Sequence, residues 1–205
     1  METETDTYNT ISASSEGLYK EKGSRFIAMA FPVSEQSEIR PILDKLKKEH
    51  HEARHHCYAW ILGIERTNWR VNDDGEPSGT GGKPILGQIN SAGLTNILIV
   101  VIRYFGGTLL GVSGLINAYR TAASEAIKNA HVIQKTLREY YEILFPYISM
   151  NDVMKILKEE NAGQSDQQFD TECRITVSFR VSSREKVLSR FERVEGLTYK
   201  YLEKK

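Results

Sequence analysis

Hydrophobic residues in this 205-residue chain occur in short runs that predict strands. The run Thr95–Phe105 (TNILIVVIRYF) is apolar at successive positions, which is typical of a central strand buried on both faces. Two earlier segments, Arg25–Val33 (RFIAMAFPV) and Cys57–Ile64 (CYAWILGI), have the aromatic and β-branched content of further strands. A polar lead-in precedes them. The first half is therefore predicted to contain a sheet with the Thr95–Phe105 strand at its centre.

Apolar residues also recur at helical spacing between these strands. Ile39, Ile42, Leu43 and Leu46 predict a helix between about residues 34 and 50, and a stripe starting at Leu115 predicts another that ends near residue 130. We also predict a short strand at 68–71, a glycine-rich loop at 72–83 and a short helix at 86–92.

The last third of the chain has its own order of elements. We predict a strand at 139–145, a helix at 151–160, strands at 164–170 and 172–181, a helix at 183–194 and a strand at 197–202. This βαββαβ order is that of ferredoxin-like domains. The predicted fold class is α+β, with a first domain over residues 1–133 and a smaller ferredoxin-like domain over residues 134–205.

Charge and cysteine content limit the classes of function. The chain has 27 basic and 27 acidic residues, and counting on either side of residue 133 gives 14 basic and 15 acidic residues, then 13 and 12. Binding to nucleic acid would therefore depend on a local patch. Cys57 and Cys173 are far apart, which favours reduced thiols. With an acidic, polar N-terminus and no apolar run long enough to span a bilayer, we expect a cytoplasmic protein that does not bind membranes.

The segment His51–His55 (HEARH) matches the H-E-x-x-H pattern of zinc proteases. That site requires one continuous helix through both histidines and a third ligand. Here the second histidine leads directly into the strand-like HCYAW run, so we expect solvated histidines near a helix end and no zinc site.

The glycine-rich loop raises a second hypothesis. Its end, Gly79–Lys83 (GTGGK), lacks the phosphate-loop pattern because Pro77 and Pro84 stand where a glycine and a hydroxyl residue are needed. Two weaker alternatives remain open. The successive backbone N–H groups of GTGG could form an anion-binding nest beside Lys83, or GTGG could act as the G-x-x-G clamp of KH domains.

Charged residues beside this loop have two interpretations. Asp73, Asp74 and Glu76 suit a solvated turn, but they could also bind a metal or act as a general acid and base. Arg103 ends an otherwise apolar strand, where a guanidinium needs a partner if it is buried. One of the three carboxylates could pair with it, or it could bind a ligand.

Four segments resemble the YigZ/IMPACT family. They are KGSRFIA (22–28), HHCYAW (55–60), NDDGEPSGTGGKPIL (72–86) and VVIRYFGGTLLGVSGLINAY (100–119). The resemblance implies a first domain folded like the second domain of a ribosomal small-subunit protein, and a C-terminal domain similar to one of elongation factor G. Eukaryotic members carry an RWD domain and modulate translation through the amino-acid-control kinase pathway. Because this chain begins almost directly at the family domain, we do not expect an RWD domain in it.

The resemblance also indicates where a ligand would bind. The predicted ligand-binding residues are Arg25, His55, Asp73, Asp74, Glu76, Ser78, Gly79, Thr80, Gly81, Lys83, Arg103, Tyr104, Gly106 and Gly107. We predict no catalytic residue, metal ligand or cofactor.

The leading functional hypothesis is a non-enzymatic binding protein linked to translation or stress control. Lys83, Arg103 and Arg25 would together face a phosphate-bearing partner such as RNA or the ribosome, with Gly106 and Gly107 allowing close approach. A protein partner in translation control is a further possibility, and sequence-specific DNA binding is not expected. The alternative is a hydrolase or transferase that uses the carboxylates on a small phosphorylated substrate.

Overall fold

The computed structural model describes residues 6–204, which form two compact units. The first unit comprises residues 8–135, and the second comprises residues 136–204 together with residues 6 and 7. Helices packed on antiparallel sheets confirm the α+β class. None of the helices described is both long and apolar enough to cross a membrane.

The first unit contains seven strands and three helices. The strands are β1 (Thr7–Ile11), β2 (Ser15–Glu21), β3 (Ser24–Pro32), β4 (His55–Leu62), β5 (Asn68–Asn72), β6 (Ile97–Tyr104) and β7 (Val132–Thr136). The helices are α1 (Ile39–Glu49), α2 (Gly82–Ser91) and α3 (Gly111–Lys128). The main sheet has the order β2-β3-β6-β4-β5, and β1 pairs with β7 in a separate two-stranded sheet.

The strand predicted to be central, β6, lies in the middle of the sheet and is antiparallel to both neighbours. Side chains alternate between the two faces of a strand. Ile99 and Val101 pack with α2 and α3 in one apolar cluster, whereas Val100 and Ile102 pack with α1 in another. The same alternation places the next residue, Arg103, on the α2/α3 side.

Three strands were not predicted. The lead-in contains β1 and β2, and β7 follows α3. Only Gly17 of β2 is buried, where its backbone packs directly against α3, so this edge strand has little apolar signal. The helix predicted at 86–92 begins earlier, at Gly82, and Lys83 therefore lies in its first turn and not in the loop.

The second unit has the predicted βαββαβ order. Its elements are β8 (Arg138–Pro146), α4 (Met150–Glu159), β9 (Gly163–Gln168), β10 (Glu172–Arg180), α5 (Arg184–Phe191) and β11 (Thr198–Lys204). The strand order β11-β8-β10-β9 is antiparallel throughout. Its core combines inward residues of β8 and β10, such as Ile143 and Val177, with residues of both helices, such as Leu157 and Phe191.

Candidate functional site

The glycine-rich loop folds around the carboxylate of Asp73. Oδ1 accepts hydrogen bonds from the backbone N–H groups of Gly81 (2.9 Å) and Gly82 (2.8 Å), and Oδ2 accepts one from Gly79 (2.8 Å). Burial alone would raise the pKa of Asp73, but these three bonds and nearby Lys83 outweigh it and lower the pKa. The predicted anion-binding nest exists, but an internal carboxylate occupies it, so these three amides are not available to an external phosphate.

Asp74 also has an internal role. Its Oδ2 accepts a hydrogen bond from the backbone N–H of His56 (2.7 Å), and Oδ1 lies 3.3 Å from Nζ of Lys47. Its backbone carbonyl accepts a 2.8 Å hydrogen bond from Nδ1 of His55. These contacts attach the loop to β4, so Asp74 is not the freely solvated turn residue considered from the sequence.

Glu76 is the partner of Arg103. Nη1 of Arg103 donates to Oε1 of Glu76 at 2.6 Å, and the two side chains are only 7% and 3% exposed. The same oxygen accepts a 2.8 Å hydrogen bond from the hydroxyl of Tyr119 on α3. Burial raises the pKa of this hydroxyl, so Tyr119 stays a hydrogen-bond donor. The buried charge of Glu76 is therefore compensated by a guanidinium and a phenol that hold it in place.

This ion pair lies at a pocket of about 370 Å³. His55, next to Arg103 on the paired strand β4, also lines it, with Nε2 at 3.9 Å from Oε1 of Glu76. The rest of the lining combines one further cation and Pro77 of the glycine-rich loop with residues, mainly apolar, from the loop before α3 and its first turns. These are Arg54, Pro77, Phe105, Leu109, Leu110, Gly111, Val112 and Leu115.

Cationic and aromatic side chains lie at the same end of β6 on both faces of the sheet, with Arg25 and Tyr104 on the α1 side and Arg54 and Phe105 at the pocket. The guanidinium of Arg25 stacks over the ring of Tyr104 at 4.5 Å from its centre, and the hydroxyl of Tyr104 is 2.9 Å from Nδ1 of His50. The guanidinium of Arg54 lies 6.0 Å from the centre of the Phe105 ring. Within residues 6–204, neither Arg25 nor Arg54 forms an ion pair, so both exposed charges can meet a partner. We call these five residues the β6-end cluster.

Lys83 belongs to a different surface. It lines a shallow polar groove with Gly79, Gln88 and Arg120, between α2 and α3. The groove has a volume of about 590 Å³. Lys83 and Arg120 both keep their side chains exposed there.

The prediction that Lys83, Arg103 and Arg25 act together on one surface is wrong. Arg25 and Arg103 project from opposite faces of the sheet, because Arg25 pairs with Tyr104 while Phe26 pairs with Arg103. Arg103 is buried and neutralised by its pairing with Glu76, and Lys83 lines a groove that does not include Arg103.

The two glycines after β6 differ in their roles. A Cβ on Gly106 would lie 1.9 Å from the backbone of Gly23, so its lack of a side chain accommodates the β2–β3 turn and not a partner. Gly107, with a φ of 87° and open space around it, stays accessible. Two other predicted residues of the glycine-rich loop also differ in accessibility. Thr80 is buried and its hydroxyl donates to the carbonyl of Pro77, whereas Ser78 is exposed.

The zinc-protease geometry is not formed by His51 and His55. Helix α1 ends at Glu49 and β4 begins at His55, so the two histidines are not one helical turn apart. Across residues 6–204 no group of three or more His, Cys, Asp or Glu side chains is arranged to hold a metal ion. The carboxylates of the hydrolase hypothesis each accept internal hydrogen bonds, as described above.

Several lining residues were missed from the sequence. Phe105, Leu109 and Val112 are apolar yet 43%, 82% and 59% exposed. Phe105 and Leu109 lie in the glycine-rich turn after the central strand and Val112 in the first turn of α3, and exposed apolar residues there were an available signal, since such turns normally carry polar residues. Arg54 and His50 gave no comparable signal, because only the fold brings the end of α1 beside the end of β6.

The first unit, which contains the pocket, is similar in sequence to a known protein family. The family model of the Impact N-terminal domain matches residues 22–127, which is more than half of the chain. The chain belongs to the IMPACT family. This confirms the resemblance seen in the four sequence segments, and all the residues of the pocket and of the β6-end cluster lie within the matched range.

Bacterial relatives extend the similarity to most of the chain. The IMPACT family member YigZ of Escherichia coli is 36% identical over 71% of this chain and 70% of its own length. The IMPACT family member YvyE of Bacillus subtilis is 35% identical over 75% of this chain and 70% of its own length. A crystal structure of a hypothetical protein, 28% identical, superposes with a TM-score of 0.69 over 97% of this chain and 98% of that one.

Proposed function

We propose that this IMPACT family protein is a non-enzymatic, cytoplasmic binding protein that regulates translation by binding single-stranded RNA, either free or on the ribosome. The β6-end cluster is the observation that supports this proposal. The cluster combines exposed aromatic surface with two arginines that form no ion pair within residues 6–204, in a chain whose net charge is zero. A cytoplasmic location is consistent with the two buried free thiols, Cys57 and Cys173.

The chemistry of the cluster suits an unstacked RNA strand. Bases of single-stranded RNA stack on aromatic rings and on planar guanidinium groups, and arginines bind the phosphates between them. Arg25, whose guanidinium lies 4.5 Å from the centre of the Tyr104 ring, presents such a plane, while Phe105 beside Arg54 presents an open ring. Double-stranded DNA offers no splayed bases for these surfaces, so we do not propose sequence-specific DNA binding.

The test is to measure binding of a labelled single-stranded RNA by fluorescence anisotropy at several salt concentrations. In the double variant Arg25→Gln with Arg54→Gln, two phosphate contacts are lost. The slope of log K against log salt should then become less steep by about 1.4, because each contact with a single strand contributes about 0.7. Neither side chain is buried, so the fold should persist.

The matched control is Arg40→Gln with Lys45→Gln on α1, which removes the same charge from exposed positions already paired with Asp44 and Glu49. It should leave the affinity and the salt slope nearly unchanged. Equal losses in both double variants would indicate a general charge effect, and unchanged binding in the first would refute the proposal. Co-sedimentation of the same variants with ribosomes, with and without ribonuclease treatment, separates RNA from a ribosomal protein as the partner.

A further inference from the structure

The pocket at the end of β6 has polar groups that its own structure leaves unused. Both hydrogen bonds accepted by Glu76 end on Oε1. Within residues 6–204, Oε2 of Glu76 and Nη2 of Arg103 form no hydrogen bond. Neither atom is fully buried, so both can be reached from the solvent. The pocket thus presents a carboxylate acceptor beside a guanidinium donor.

An acceptor next to a donor is complementary to a ligand edge with the reverse order. Guanine has such an edge, because its N1–H and N2–H groups donate while the adjacent O6 accepts. Glu76 would accept from N1–H and N2–H, and Arg103 would donate to O6. Adenine has neither the ring N–H nor the carbonyl on that edge, so it would leave Arg103 and Glu76 poorly matched.

The walls of the pocket suit a flat, mainly apolar body. Phe105 provides a ring with an exposed surface, and the side chains of Leu109 and Val112 are exposed at the lip. Covering these groups with a base removes apolar surface from water. The cavity of about 370 Å³ lies within the range of small-ligand sites and accommodates a purine.

Arg54 and the start of α3 complete the site on its solvent side. Arg54 lines the pocket without an ion-pair partner in the described part of the chain, and the first turn of α3 contains no acidic residue. A phosphate attached to the bound nucleoside would meet the positive charge of Arg54 there.

We infer that this pocket binds one unstacked guanine base of a single-stranded RNA, with Glu76 and Arg103 reading its Watson–Crick edge and Phe105 packing on its face. The inference rests on the proposed RNA binding and specifies which base that site selects. Recognition of a flipped base by edge hydrogen bonds and by stacking in a pocket is an established way of reading single strands.

The experiment compares RNA octamers made of adenosine that carry one central guanosine, inosine or adenosine. The guanosine octamer should bind about 5- to 150-fold more tightly than the all-adenosine octamer. Inosine keeps N1–H and O6 but lacks the 2-amino group, so it should fall between them. The variant Val112→Trp fills the mouth of the pocket from an exposed helix position and should abolish this preference while retaining salt-dependent binding of the all-adenosine octamer.

Free guanosine 5′-monophosphate provides a readout that does not require RNA binding, since isothermal titration calorimetry should detect its binding to the wild type and not to Val112→Trp. Equal binding of the three octamers would overturn the inference and leave the proposed RNA binding intact. A guanosine preference that survives Val112→Trp would also overturn it. Binding of the mononucleotide without any RNA binding would refute the proposed function but support base recognition by the pocket.

Discussion

Replacing Glu76 by glutamine is expected to destabilise the first unit strongly. The substitution keeps the size of the side chain but removes the charge that compensates Arg103, whose side chain is only 7% exposed. Leaving one member of a buried ion pair without its partner typically costs about 3–5 kcal/mol. Tyr119 also loses a charged acceptor, which places the expected loss toward the upper part of that range.

This loss can be measured separately from the second unit. Both tryptophans, Trp60 and Trp69, lie in the first unit, so their fluorescence during urea unfolding reports on that unit alone. With a urea m-value of about 2 kcal/mol/M, a loss of about 3–5 kcal/mol lowers the unfolding midpoint by about 1.5–2.5 M. Circular dichroism of the folded baseline confirms that the variant is native before urea is added.

Two further variants make the prediction refutable. Adding Arg103→Met to Glu76→Gln removes the orphaned charge, so the double variant should recover part of the lost stability. The control Asp44→Asn breaks the exposed pair with Arg40 and should have little effect. The reasoning is refuted if Glu76→Gln costs no more than the control, or if the double variant is less stable than the single one.

Other positions allow equally direct tests. Asp73→Asn should cost about 1–3 kcal/mol in urea unfolding at pH 7, because an amide cannot accept all three backbone bonds. Since the folded pKa of Asp73 is lowered below the unfolded value of about 3.9, this contribution is complete above that value and is lost as the pH falls through the folded pKa. Gly106→Ala should lower the melting temperature, because its Cβ would overlap the Gly23 backbone; the expected loss in free energy of unfolding is about 1–3 kcal/mol. Cys57, whose thiol pKa burial raises, should react with a thiol reagent only after unfolding.

Each of these tests has its own contradicting outcome. If the difference in free energy of unfolding between the wild type and Asp73→Asn does not shrink between pH 5 and pH 2, the charge of the carboxylate does not contribute to stability. Gly87→Ala is the control for Gly106, because that helix position is open and the change should stabilise by about 1 kcal/mol. Rapid labelling of the native protein, located to Cys57 by mass spectrometry, would contradict its burial.

The main strands and helices were predictable because their signals are local. The unbroken apolar run of β6, the helical stripes of α1 and α3 and the βαββαβ order of the second unit depend on residues close together in sequence. Strand β2 escaped prediction because Gly17, its only buried residue, packs on α3 through its backbone, which leaves little hydrophobic pattern. The glycine-rich segment was also identified correctly as a loop up to the start of α2.

The sequence by itself determined which residues were chemically unusual, namely a charged residue ending an apolar strand and acidic residues beside glycines. Only the tertiary structure decided what each of them does. Alternation along β3 and β6 separates Arg25 from Arg103, and the fold of the loop turns Asp73 inward to its own amides while Glu76 meets Arg103. The β3–β6 pairing joins residues as far apart as Arg25 and Tyr104, which are 79 positions apart, because strand order and side-chain burial, unlike local propensity, are set by the packing of the whole unit.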